Sequence, residues 1–471
     1  MTLPPLIRHA AFCLAVPLLA QNLAADYKDD IGYTALAAEL GAATPDGSGV
    51  TIAHVEASTS GREDVYTYTP NTADARFSGV TFTNKSASAN PPTGTSGHAT
   101  TTGGLIYGNN GMGFGITEVD TYLADHWIGN GFLNTDGITT APAIETRDVQ
   151  NHSWVSGPET TAEEARAVLS RLDYAIQRDD FVAVVGVNNG KNNDRPLLSA
   201  AYNVISVGRS DGAHSSTPTA DGVQRPHIVV PVGTTSDATA VVSAAAALLI
   251  GAARDAGAGF ADGDKSETVK ALLLAGATTL PGWSRQSETS PLDPVQGAGQ
   301  LNIFNSYHIL AAGQQSGATL PEGAAVASTG WDYAGISSGE TISYRFNLDA
   351  QKNMTVALTW NAIWSGSNYD DLTLSLANLD LWLYEVGVDG SLSLVQQSLS
   401  TEENLEFIRV NGLAAGEYLI QVSLLSEGDI EYALAWQASV PEPATVFFVL
   451  AGIAVLVIGR IAGLPTGRRQ G

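Results

Sequence analysis

Short apolar runs alternate with longer amphipathic stretches over the first two thirds of the chain. Val50 to Val55 (VTIAHV) reads as a buried strand ending at Glu56. Leu123 to Trp127, Val149 to Trp154, Phe181 to Val187 and Tyr202 to Val207 are further apolar runs of strand length. Thr161 to Arg178 is spaced as a helix, and Lys265 to Ala275 is the last helix predicted. Strands alternating with helices predict a parallel α/β domain whose sites lie at the strand C-termini. Gly, Ser and Thr dominate from Glu56 to Gly97, and HATTTGGLIYG from His98 predicts another helix start.

The stretch Val229 to Gly251 (VVPVGTTSDATAVVSAAAALLIG) stands out. An apolar run, Ile228 to Pro231, is followed by Ser236 and then by small residues from Ala238 to Ala253. A helix without bulky side chains can be buried on all sides. Ser236 at its start is either an N-cap or a nucleophile whose oxyanion would meet the free N–H groups of the first turn.

From about Ser328 the period changes to two. Thr341 to Leu348, Thr355 to Trp360, Leu379 to Tyr384, Tyr418 to Val422 and Tyr432 to Trp436 are separated by turn residues at the spacing of a β-sandwich. Asp370, Asp371 and Asp380 are candidate Ca²⁺ ligands there, the plainer reading being a solvated acidic loop.

The two ends read as addresses. Residues 1–25 carry Arg8, an apolar stretch from Ala10 to Ala20 and Ala-rich cleavage candidates, which describes a secretory signal peptide. At the other end Pro441-Glu442-Pro443 precedes the apolar Ala444 to Gly459 and then Arg460, Arg468 and Arg469. Those 16 positions are slightly fewer than the ~20 usual for a spanning helix. The basic tail orients the body of the protein outside the cytoplasm. This end resembles the PEP-CTERM sorting signal of Gram-negative bacteria. The resemblance implies export, membrane anchoring and an exosortase-type partner at the cell envelope; a plain membrane anchor is the alternative.

Composition narrows the function. At 471 residues the chain has room for two to three domains. A formal net charge of −25 argues against a nucleic-acid partner. The single cysteine, Cys13, lies in the leader, so the mature chain offers neither a disulfide nor a cysteine nucleophile.

Three landmarks then stand in order: Glu56 after a strand, His98 before a helix, and Ser236 before the alanine-rich helix. A carboxylate, an imidazole and a hydroxyl in this order resemble the subtilase family of serine peptidases. The corresponding stretches are Val50-TIAHVEAS, His98-ATTTGG and Thr234-TSDATAVVSA. Val184-VGVNNG is similar to the segment carrying the oxyanion-hole asparagine, which falls on Asn188, with Asn189 as competitor. Ala200-AYNVISVG resembles the strand that follows, and Val149-QNHSWVSG the segment that pairs with substrate as an added strand.

The resemblance covers roughly residues 40 to 310. It implies that Ser236 attacks the scissile carbonyl, that His98 takes its proton, and that Glu56 orients the imidazole. The Asn188 amide and the Ser236 N–H would bind the oxyanion. Departures are Glu56 in place of aspartate, Thr234 and Asp237 flanking Thr235-Ser236, Ala240 in place of the helix proline, and Ala99 after the histidine. Asp237 is expected to raise the histidine pKa. His54, His126, His152, His214, His227 and His308 read as structural or surface residues. Asp46 and Asp64 are weaker substitutes for Glu56, since neither ends an apolar strand.

In the C-terminal third, Asn378-LDLWLYE and Gly412-LAAGEYLIQV resemble the bacterial pre-peptidase C-terminal domain. The expected organisation is a signal peptide (1–25), a subtilisin-like α/β domain (26–318), a β-sandwich (325–437) and a sorting signal with a membrane helix (440–471). The expected activity is a serine endopeptidase acting on protein or peptide substrate, with no cofactor required. The alternative is a subtilase-fold binding or matrix protein without turnover.

Overall fold

The computed structural model describes residues 26–59, 65–155, 161–191, 197–216 and 223–439. The expected signal peptide (1–25) and the expected sorting signal and membrane helix (440–471) lie outside the described residues, as does Asp64.

Seven parallel strands form one sheet in the order β2-β3-β1-β4-β5-β6-β7. They are β1 (Ile52–Glu56), β2 (Thr81–Asn84), β3 (Glu118–Leu123), β4 (Val149–His152), β5 (Val182–Gly186), β6 (Ile205–Arg209) and β7 (Ile228–Val230). The helices are α1 (Tyr27–Asp30), α2 (Tyr33–Leu40), α3 (Gly97–Ile106), α4 (Ala124–His126), α5 (Ala162–Asp179), α6 (Thr235–Ala256), α7 (Ser266–Gly276) and α8 (Ile303–Ala311).

Alternation along the strands divides the core. Ile52, Val182 and Val184 pack on one face with α6, while Ala53, Val55, Ala183 and Val185 pack on the other with α5. A sheet covered on both faces explains why its strands read as nearly unbroken apolar runs. Helix α5 begins with a capping box in which Thr161 and Glu164 satisfy each other's backbone N–H groups. Helix α6 is buried along most of its length because its residues are small. It is long and apolar enough to cross a membrane, yet 89% of its apolar window is buried, as befits a core helix.

Three expectations need correction. The third strand is Glu118–Leu123 rather than Leu123 to Trp127, where the chain already turns into α4. Its polar residues are accommodated by ion pairs: Asp120 binds Arg147 with a nitrogen–oxygen distance of 3.0 Å. Strand β2 lies within the Gly-, Ser- and Thr-rich region, on the sheet edge with half-exposed residues. Helix α8 follows the helix that had read as the last one and packs on α7.

The C-terminal region is all β, with strands β8 (Ala324–Ala325), β9 (Thr329–Ser337), β10 (Thr341–Leu348), β11 (Lys352–Trp360), β12 (Ile363–Ser365), β13 (Thr373–Ser375), β14 (Leu379–Val386), β15 (Leu392–Ser398), β16 (Leu405–Leu413), β17 (Gly416–Leu424) and β18 (Asp429–Ser439). One sheet runs β15-β14-β17-β10-β8 and the other β16-β11-β18-β9, with β12 and β13 paired apart. Val356, Leu358, Leu434 and Trp436 face the core between the sheets. Their neighbours Ala357, Ala433 and Ala435 face outwards and join the core of the α/β unit, where α7 meets β11 and β18. Polar contacts reinforce this junction. Thr359 Oγ1 donates to the Glu267 carbonyl at 2.8 Å, and the Ala362 N–H donates to Asn203 Oδ1 at 2.8 Å. Arg225 and Glu403, both buried, approach to 3.4 Å across it.

Candidate active site

The chemistry-bearing residues gather beyond the C-terminal ends of β1, β4 and β5, where an open parallel sheet offers a crevice. Glu56 is the last residue of β1 and is 2% exposed. His98 is the second residue of α3, whose N-cap Ser96 accepts from the Ala99 N–H at 3.0 Å. The strand end and the helix start bring Glu56 Oε1 into a short hydrogen bond with His98 Nδ1. The imidazole is partly exposed, its side chain at 38%.

Burial works to raise the Glu56 carboxyl, but the imidazoles of His54 and His98 outweigh it and hold the group below the ordinary glutamate range. His98 is shifted upwards, first by its bond to Glu56; burial opposes this, and the charges of Glu56 and Asp237 add to it. Asp237 therefore acts as its position in the sequence suggested.

Ser236 is the second residue of α6. Its hydroxyl donates to the Ser153 carbonyl at 3.3 Å, and Ser153 Oγ donates back to the Ser236 carbonyl at 3.0 Å. Among the described residues no hydrogen bond joins Ser236 to His98. Thr234 is the true N-cap, accepting from the Asp237 N–H at 3.0 Å, so the capping role falls to Thr234 rather than Ser236. The Thr235 N–H donates to Asn189 Oδ1 at 3.0 Å, and the Ala238 N–H to the Thr234 carbonyl at 3.1 Å. Of these first-turn donors, only the Ser236 N–H has no partner among the described residues. A free N–H at a helix start, beside the positive end of the helix dipole, suits a developing oxyanion.

Asn188 and Ser236 line one small hollow, together with Ser153, Trp154 and Thr235. One hydrogen of the Asn188 amide goes to the Asn189 carbonyl at 2.6 Å, and the other has no partner among the described residues. Asn189 is engaged elsewhere, its Oδ1 accepting from the Thr235 N–H.

His54 reads from the sequence only as a structural or surface residue. It lies against Glu56, with Nε2 3.2 Å from Oε2, and bonds Tyr107 through Nδ1 at 2.8 Å. Its position two residues before Glu56 on the same strand was the signal available, because alternation puts both on one face. His126, His152, His214 and His227 bond other groups of the scaffold or lie in its core, and His308 stands 3.2 Å from Glu39.

Two of the three acidic candidates are engaged with arginines: Asp370 pairs with Arg171 at 2.7 Å and Asp371 with Arg166 at 3.0 Å, while burial pushes the Asp380 carboxyl up to about 6. Among the described residues no group of three or more His, Cys, Asp or Glu is placed to hold a metal ion.

No protein-family model and no curated protein matches the sequence. Among solved structures, the chain is similar to MycP1, a serine protease described as an essential component of the type VII (ESX-1) secretion system. The identity is 14% with a TM-score of 0.38, covering 59% of this chain and 87% of that one. Proteases from Pseudoalteromonas arctica are similar at 14% identity and a TM-score of 0.35, covering 57% and 91% respectively. Part of the chain is similar to the pre-peptidase C-terminal domain of a collagenase from Bacillus anthracis, at 15% identity and a TM-score of 0.19, covering 24% of this chain and 92% of that one. These are weak likenesses of shape, and the chemistry of the site rests on its own residues.

Proposed function

We propose that the chain is an exported serine endopeptidase that cleaves protein or peptide substrates through an acyl-enzyme. The observation that carries this reading is the buried carboxylate of Glu56 bonded to Nδ1 of a partly exposed histidine. An ionised Glu56 keeps a proton on Nδ1, which leaves the lone pair on Nε2 free to act as a base. Ser236 Oγ attacks the scissile carbonyl and its proton passes to Nε2. The oxyanion accepts from the Ser236 N–H and the Asn188 amide, and the imidazolium gives its proton to the departing amine. Water then attacks the acyl group by the same route, with Ser236 as leaving group. Catalytic hydrogen bonds are often loose before substrate arrives, so the bond from Ser236 to Ser153 is one that substrate must replace.

Export by residues 1–25 and envelope sorting through residues 440–471 by an exosortase-type partner complete the reading, and rest on sequence alone. A second reading, a surface binding or matrix protein without turnover, is favoured by that same Ser236 to Ser153 bond, which directs the hydroxyl to a backbone carbonyl. A fluorophosphonate probe separates the two. Labelling of the folded protein that disappears in Ser236→Ala supports the hydrolase; no labelling of folded protein supports the binder.

A further inference from the structure

Glutamate holds its carboxylate one methylene farther from the strand than aspartate, with one more torsion to fix. His98 fixes only Oε1. Oε2 is buried and has no aligned hydrogen-bond partner among the described residues, yet His54 Nε2 stands 3.2 Å from it. A carboxylate oxygen left bare in a core would be costly.

The surroundings of His54 set its protons. Nε2 lies 3.1 Å from Thr102 Oγ1, and that hydroxyl donates to the His98 carbonyl one helical turn back at 3.1 Å. Thr102 therefore accepts from His54, and Nε2 carries one hydrogen, directed at Thr102 Oγ1. That hydrogen stands beside Glu56 Oε2 without aligning on it, so that it acts on the carboxylate by its positive charge. In a neutral ring the lone pair is then on Nδ1, where the buried Tyr107 hydroxyl donates at 2.8 Å. Gly103 keeps room for that hydroxyl, since a Cβ at position 103 would collide with it. Besides Tyr107, Glu56 and His98, the titratable group near His54 is His152 on β4, on which it acts electrostatically; Asp237 acts on His98.

We propose that His54, backed by Tyr107, is a positioning residue that holds Oε2 of Glu56 so that Oε1 stays in line with His98 Nδ1. Its kinetic consequence rests on the hydrolase reading, whereas its effect on the Glu56–His98 bond does not.

The test compares Tyr107→Phe, which removes one oxygen, His54→Leu, which removes both contacts, and His54→Gln, which restores an N–H donor. The first readout is the low-field proton NMR resonance of His98 Nδ1–H, assigned by its loss in His98→Ala. It should move upfield and broaden in folded His54→Leu, and recover in part in His54→Gln. The second is kcat on a peptide substrate, which should fall roughly tenfold in Tyr107→Phe and more in His54→Leu with KM unchanged. A His98 resonance and kcat equal to wild type in folded His54→Leu would overturn the proposal; if that variant does not fold, the same result in Tyr107→Phe does so. A shifted resonance in a chain that neither hydrolyses peptide nor takes the fluorophosphonate label would sink the hydrolase reading and leave the positioning role intact.

Discussion

Ser153 and Ser236 exchange hydrogen bonds, each hydroxyl donating to the other's carbonyl, at 3.3 Å from Ser236 and 3.0 Å from Ser153. The pair fastens the end of β4 to the start of α6. Ser153→Ala removes one of the two bonds at a buried position and is expected to cost about 1 kcal/mol. Urea unfolding of the variant in a Ser236→Ala background, where self-digestion is absent, measures it. An unchanged midpoint would show that the bond contributes nothing net.

Glu56→Gln tests the orienting carboxylate. A neutral amide no longer enforces a proton on Nδ1, and turnover should fall by roughly 10³–10⁴-fold while the fold persists. Steady-state kinetics with circular dichroism as the folding control decides this; a folded variant with wild-type kcat would remove Glu56 from the machinery.

The upward shift of His98 gives a signed pH prediction. In the proposed mechanism the neutral imidazole is the base, so activity should appear only as pH rises past the shifted value. Asp237→Asn removes one of the charges that raise it, and the acid limb of kcat/KM should move to lower pH. A limb that stays in place or moves up contradicts the assignment.

Linkage extends the same shifts to stability. The raised His98 contributes stability that is fully present below the unfolded histidine value of 6.5 and is lost as pH rises through the folded one. The lowered Glu56 contributes stability present above 4.5, lost as pH falls through its folded value. Denaturant titrations of Ser236→Ala and of Ser236→Ala with Glu56→Gln should therefore diverge most between these limits. Parallel curves would contradict the shifts.

The buried pair of Arg225 and Glu403 joins the two units. Glu403→Leu leaves the guanidinium without its anion in a dry interface, an effect of about 3–5 kcal/mol. A fall in thermal midpoint should result. If the loss is small, the backbone carbonyls of Ser199, Gln224 and Ala201, which Arg225 also binds, suffice to hold it.

Much of the α/β framework could be read from the chain because its central strands are covered on both faces, and burial writes continuous apolar runs into them. The Val50 to Val55 run, the capped helix at Thr161 and the alanine-rich stretch all carried such marks. Strand β2 carried none, since this edge strand exposes Thr81 and Thr83 and turns only Phe82 to the core. Strand β3 was hidden by Glu118 and Asp120, whose charges are neutralised by Arg147, 29 and 27 residues away in sequence. At the site, alternation brings His54 to the side of β1 that carries Glu56. Nothing in the chain announces that Tyr107 and Thr102 come back to meet it, because that depends on how α3 lies across the sheet. The hydroxyl of Ser236 likewise turns to a carbonyl 83 residues away, a contact with no local signature.

Helix α6 brings the proposed nucleophile Ser236 and a tightly buried run of small residues into one piece of chain. Ala238, Ala240 and Ala244 to Ala247 have no exposed surface to speak of, so an added methyl group there has nowhere to go but into a neighbour. Such a substitution would displace the first turn together with Ser236. If the chain is the proposed hydrolase, adaptation to new substrates is thereby channelled away from the helix and into the loops above it, where side chains can change without moving the serine.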